Sequence, residues 1–124
     1  NGDISSPKEA KKVVEITNCD AVMIGRAALG KPWLLSQVDN FLRTGDLAQQ
    51  VSGAYIRDFL LQHLNALYQH YGVERGLLIA RKHVGWAVAD LPTGNQIKKE
   101  FNQASSAEEQ LRLISCLKRA KLVA

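Results

Sequence analysis

Long apolar runs are absent from the 124-residue chain, in which stretches such as Ala21-Val22-Met23-Ile24 extend over only a few residues. A membrane-spanning helix needs roughly 18, so the sequence offers no such span. Cysteine is scarce: Cys19 and Cys116 lie far apart and form neither a CxxC pair nor a Cys/His metal spacing. That argues against a disulfide scaffold and for free, buried thiols in a reducing cytoplasm. The start lacks both an initiator Met and the basic and apolar regions of a signal peptide; it reads Asn1-Gly2-Asp3-Ile4-Ser5-Ser6-Pro7. The chain is therefore expected to be a piece of something longer. Length excludes a complete (β/α)₈ barrel, which takes roughly 250 residues. What is present is an ordinary globular composition, 46% hydrophobic and 23% charged, which excludes a disordered tail or a fibrous protein.

Charge is unevenly placed. Residues 1–40 carry five basic and five acidic side chains, while residues 41–124 carry eleven basic against seven acidic, which is the whole formal +4. His63, His70 and His83 lie in that second part as well. An anionic partner would bind there, although an excess of this size is also common in proteins with no polyanionic ligand.

The first forty residues read as an αβ unit. Ser6-Pro7-Lys8-Glu9 is a capping box with Pro at the first helical position, and Ala10, Val13, Val14 and Ile16 follow at helical spacing, predicting a helix to about Thr17. Asn18-Cys19-Asp20 turns into residues 21–24, a continuous apolar run of the kind found in buried parallel strands. Gly25-Arg26 and Gly30-Lys31-Pro32 break the chain, and a helix from Trp33 to Leu42 stops at Thr44-Gly45. Beyond this point helices are expected over Ala54–Tyr71, Leu77–Ala89 and Asn95–Gln103. A last helix, capped by Ser105-Ser106, shows a stripe of Leu111, Ile114 and Leu117 or Lys118. Short loops between amphipathic helices predict an all-α antiparallel bundle following the α/β edge, mostly helical in sum.

Chemistry has two candidate locations. Asn1-Gly2-Asp3 precedes a capped helix, and Gly25-Arg26 follows a predicted strand; in parallel α/β folds such edges bind ligands, and helix N-termini attract phosphate. Gly25 admits close backbone approach and Arg26 offers a fork-shaped cation, while the alternative is a pair of ordinary turns with Arg26 solvated. The second location is Arg81-Lys82-His83. Ile79, Lys82, His83 and Trp86 share one helical face, so either the cations contact phosphates or Lys82 lays its stem over a core Trp86. Lys98, Lys99, Arg112, Lys118, Arg119 and Lys121 read as a solvated basic face. No third ligand accompanies His63 and His70, so no metal site is expected, and Tyr68 and Tyr71 are expected to pack.

Taken in order, NGDI, CDAVMIGRAALGKPWLL, HLNALYQHYG and IARKHVGW cover nearly the whole chain. This series resembles the C-terminal part of bacterial tRNA-dihydrouridine synthases, closest to the B type. The resemblance implies an FMN-containing TIM barrel followed by a small helical domain, cytoplasmic, reducing uridine in the tRNA D-loop to 5,6-dihydrouridine with NADPH. It places residues 1–44 in the end of the barrel (seventh helix, strand eight and the helices after it) and residues 45–124 in a tRNA-binding helical domain. TIM-barrel phosphate sites lie on the loops after strands seven and eight, which agrees with that placement.

By the same resemblance Asn1, Gly2, Asp3, Gly25 and Arg26 bind FMN, and Arg81, Lys82 and His83 contact tRNA. In that family flavin N5 delivers hydride to C6 of the uracil while a cysteine protonates C5. That cysteine lies upstream of this chain, so no catalytic residue is assigned here and the chain alone is expected to be inactive. Cys19 and Cys116 are read as structural. The family usually has Trp-Tyr where this chain has Trp86-Ala87, which leaves any contact of that tyrosine in doubt. Two other readings stay open: a free-standing, non-catalytic helical module that binds RNA or protein, and dimerisation through an exposed strand edge.

Overall fold

The computed structural model describes residues 2–117. It divides into two compact units, with the boundary between Gln49 and Gln50. Among the described residues regular structure is helical throughout.

In the first unit, α1 (Pro7–Thr17) begins as its sequence dictates. Ser6 Oγ accepts the Glu9 N–H, and Glu9 Oε2 reaches back to accept from the N–H and the hydroxyl of Ser5 at 2.8 and 2.7 Å. Asn18 then closes the helix in the left-handed conformation, which its short polar side chain tolerates. A 3-10 turn, Arg26–Ala28, leads to α2 (Trp33–Thr44), which ends on Gly45 at φ +78°. Helix α2 packs on α1 and buries Leu34, Val38 and Phe41, and Ile4 and Ala10 join Leu34 and Val38 in a small core.

The expected strand is only half there. Val22 and Ile24 pack against this core while Ala21 and Met23 face outward, a period-2 alternation proper to a strand. No ladder forms among the described residues, because a strand needs a neighbour to satisfy its N–H and C=O groups and this unit contains no second one.

The second unit is built from α3 (Gly53–Tyr71), α4 (Val73–Ala87), α5 (Gly94–Gln103) and α6 (Ala107–Ser115). Helix α3 packs on α4 and α6, and α4 also meets α5 and α6. Ile56, Leu60, Leu64 and Leu67 of α3 face Ala80, Val84 and Ala87 of α4, with Phe101 and Ile114 completing the core. Helix α4 begins four residues earlier than the sequence indicates. Gly76 sits inside it, where a Cβ would lie 2.8 Å from the Tyr68 ring; the glycine lets α3 and α4 approach.

The stripe expected on α6 is corrected by one position. Gln110, not Leu111, is fully buried with Ile114. Its cost is met by hydrogen bonding: Gln110 Oε1 accepts from the Tyr68 hydroxyl at 2.7 Å, and Nε2 donates to the Leu77 carbonyl at 3.2 Å. One amide thus ties α6 to α3 and α4. Burial pushes the Tyr68 phenol up to about 12, so it remains a donor throughout the physiological range.

Candidate functional site: an anion-type hollow and a ring-and-cation face

In the first unit, the segment before α1 and the segment after residues 21–24 come together. Gly2, Asp3, Met23, Gly25 and Arg26 line an open hollow of about 270 Å³. An Nη of Arg26 donates to both carboxylate oxygens of Asp3 at 2.7 Å, across 23 positions of sequence. Asp3 raises the pKa of Arg26 further, through the hydrogen bond first and its charge second. Both side chains are largely exposed, so the pair is worth little to stability and much to orientation. A Cβ built at Gly2 or Gly25 would meet nothing within 4 Å, so the hollow has room for a bulky anion beside the guanidinium. Arg26 supplies one delocalised cation able to meet a phosphate, while the Asp3 carboxylate that lines the same hollow suits a hydroxyl or the guanidinium itself. Asn1 lies outside the described residues.

The second unit gathers rings. Phe59 stacks on His63 (centroids 5.6 Å apart, planes 12°), His63 meets His83 edge-on at 4.8 Å, and His83 meets Trp86 edge-on at 5.4 Å. Lys82 Nζ stands 6.0 Å from the Trp86 ring centroid, at the outer limit of a cation–π contact. Two helices therefore build one continuous face of four rings with a cation on it. Burial lowers the pKa of His63, and burial, then the charges of His63 and Lys82, lower that of His83; both imidazoles are held toward the neutral form. Arg81 sits beside this row, its Nε buried and without a hydrogen-bond partner.

The sequence-predicted residues fall out as follows. Arg81, Lys82 and His83 are on α4, with Lys82 exposed and the other two half-buried. Trp86 is half-buried, not core; the core side of α4 is Gly76, Ala80, Val84 and Ala87. Ala87 is 4% exposed, so the position after Trp86 faces the interior. Lys98 runs its stem over Gly85, 3.3 Å from a Cβ placed there, while Lys99 and Arg112 are exposed; Lys118, Arg119 and Lys121 lie outside the described residues.

Two expectations need correction. Cys116, expected to be buried, is exposed at the end of α6, because the helix stops there and its core positions are Gln110 and Ile114. Tyr71 is 44% exposed and meets the His70 ring edge-on at 4.6 Å, whereas Tyr68 is buried as expected. His63, set aside on the sequence, proves to be the hinge of the ring row. Only its i+4 relation to Phe59 could have signalled this; its contact with His83 is made across helices. Among the described residues no three His, Cys, Asp or Glu side chains could hold a metal ion, and no helix is long and apolar enough to cross a membrane.

Comparison with known proteins covers both locations at once. The family model described as Dihydrouridine synthase (Dus) matches residues 1–122. The chain is similar to tRNA-dihydrouridine synthase B of Pseudomonas aeruginosa, 44% identical over 110 residues, or 89% of this chain and 33% of that protein. The protein of the same name from Xanthomonas campestris pv. campestris is 48% identical over 113 residues, 91% of this chain and 34% of that one. That of Shewanella oneidensis is 41% identical over 114 residues, 92% and 35%. The chain spans about a third of the length of the curated relatives it matches.

Proposed function

The chain belongs to the dihydrouridine synthase family, and from that premise we propose that it is the C-terminal part of a B-type, FMN-dependent tRNA-dihydrouridine synthase using NADPH in the cytoplasm. Residues 1–44 are the end of the flavin barrel, and residues 45–124 are an antiparallel helical domain that binds tRNA. The observation that carries this reading is that relatives bearing one name match through both units, over about nine-tenths of the chain.

Asn1, Gly2, Asp3, Gly25 and Arg26 hold the phosphate end of FMN. Arg26 meets the phosphate, the two glycines leave room for it, and Asp3 acts through Arg26, orienting the guanidinium by accepting two hydrogen bonds from one Nη. The chemistry the flavin supplies when bound is hydride delivery to the uracil ring. None of that chemistry falls to the side chains of this chain. Arg81 and Lys82 neutralise tRNA phosphates and His83 donates a hydrogen bond, contacts that position RNA without reading bases.

The test is dihydrouridine formation in tRNA, read by mass spectrometry. The full-length parent is expected to form it with NADPH and FMN, and the 124-residue chain is expected not to; product from the chain alone would overturn the reading. The tRNA contacts are checked separately by affinity against ionic strength, where Lys82→Ala is expected to reduce the salt slope by about one. A slope unchanged by both Lys82→Ala and Arg81→Ala would make this cluster structural. The second unit's closed core also favours a helical RNA- or protein-binding module as the second reading. Intact mass of the native gene product separates the two: roughly 35 kDa or more leaves room for a whole barrel, whereas 13.7 kDa favours the module.

A further inference from the structure

Helix α3 carries a second feature, a shallow hollow of about 590 Å³ lined by His63, Ala66, Leu67, Gln69, His70 and Tyr71. His63 and His70 are seven residues apart, two helical turns, which separates them by about 10 Å along the axis on one face. Ala66 lies between them, exposed and too small to fill the gap. An open hollow with an imidazole at each end and a small residue between offers a planar ring two aromatic neighbours.

Each imidazole also has ring neighbours of its own. His63 is fixed by its stack on Phe59 and the edge of His83, and His70 by the edge of Tyr71. One cation stands near the His63 end: Lys82 is exposed and adjoins His83, which His63 touches, and no acidic side chain lines the hollow. An aromatic side chain of a protein partner would satisfy the rings but would have no use for the cation. A planar ring next to a negatively charged backbone satisfies both, and that is what single-stranded RNA presents.

We propose that the hollow between His63 and His70 takes one unpaired RNA base, stacked between the two imidazoles, while Lys82 holds a flanking phosphate. This rests on the RNA-binding reading of the helical domain and adds to it a base contact that the phosphate contacts of Arg81 and Lys82 do not supply. Stacking of this kind accepts any base, because every base has a π-face. It grips the strand without naming the nucleotide.

The experiment measures binding of the full chain to an oligouridylate and to its abasic counterpart, which has the same backbone charge and no bases. The oligouridylate is expected to bind about tenfold more tightly. Ala66→Leu, which fills the hollow from an exposed position, and His70→Ala, which removes one wall, are each expected to abolish that difference while leaving the salt slope unchanged. His70→Phe, which keeps a ring, is expected to preserve it.

Equal affinity for the two probes, or a preference that survives both variants, overturns the stacking hollow. In that case the broader RNA-binding reading still stands if Lys82→Ala lowers the salt slope. Failure of the oligouridylate and of tRNA to bind overturns both, and displacement of bound oligouridylate by a neutral aromatic peptide would assign the hollow to a protein partner instead.

Discussion

Residues 50–117 bury Ile56, Leu60, Leu64, Val84, Val88, Phe101 and Ile114 and expose Tyr55, Tyr71, Val73 and Leu78, whereas the shorter stretch 2–49 buries Ile4, Ala10, Leu34, Val38 and Phe41 while exposing Ile16, Met23, Leu29, Leu35, Leu42 and Leu47. The helical unit closes its core with four helices that satisfy their own backbones, and even its buried amide is paired. The first unit has two helices and one strand-like segment, and that segment has nothing to pair with among the described residues. Exposed apolar surface of this kind marks a contact region. In the proposed parent the rest of the barrel would cover it, which is why phosphate binding is assigned to the parent while RNA binding is testable on the chain itself.

The comparison is broken or sharpened by substitutions of graded effect. Phe101→Ala empties the best-packed site of the helical unit and is expected to destabilise it by about 3–5 kcal/mol in denaturant unfolding followed by helical circular dichroism. Leu34→Ala in the first unit is expected to cost about 2 kcal/mol, at the low end for such a change, because a small open core relaxes into the gap. A larger loss at Leu34 than at Phe101 would break the contrast.

Tyr68→Phe is expected to cost about 1–3 kcal/mol, since Gln110 Oε1 is left buried without a donor. Combining it with Gln110→Leu should recover part of that loss, and a double-mutant cycle reads the coupling. The caps offer a control in which the two units should agree. Ser6 and Ser106 each accept the N–H three residues on, so Ser6→Ala and Ser106→Ala are each expected to cost about 1 kcal/mol. Unequal losses would show that one of the two caps acts through more than its own helix.

The smallest effect is a pH dependence confined to the second unit. His63 and His83 have pKa values lowered from the ordinary 6.5 by burial, His83 also by its charged neighbours. The folded chain therefore binds these protons less readily than the unfolded one. Their contribution is complete above about pH 6.5 and is lost as pH falls below it toward the depressed values. Replacing His83 by Phe should flatten unfolding midpoints across that window. Glu9 and Glu109, lowered from 4.5 by their serine partners, act in a separate window below it.

Local chemistry was legible wherever it was self-contained. Ser6-Pro7-Lys8-Glu9 and Ser105-Ser106 announce helix starts because the capping hydrogen bonds close within four residues; Gly45 marks a stop for the same reason, and Gly72 by its positive φ. The apolar run at 21–24 was legible as a strand candidate, but a ladder needs a neighbouring strand, and none forms among the described residues. The early start of α4 was hidden because Gly76 is explained only by the Tyr68 ring of another helix.

Of the candidate site, the cations Arg26, Arg81 and Lys82 could be picked out by residue type and motif. Their environment could not. That Asp3 holds Arg26, that His63 meets His83, and that His63 and His70 line one hollow are relations between residues that only folding, or the exposure of one helix face, brings together.

By itself the sequence determined the helix boundaries that capping sets, the basic second half, and the ordered motifs that place the chain in its family. Tertiary structure decided which polar groups are buried and which rings touch. The reason is physical: a cap or a helical face is fixed by neighbours within about four residues, as Ser6 and Glu9 show. The worth of Gln110, Asp3 or His63 depends on partners 42, 23 or 20 positions away, whose arrival only packing enforces.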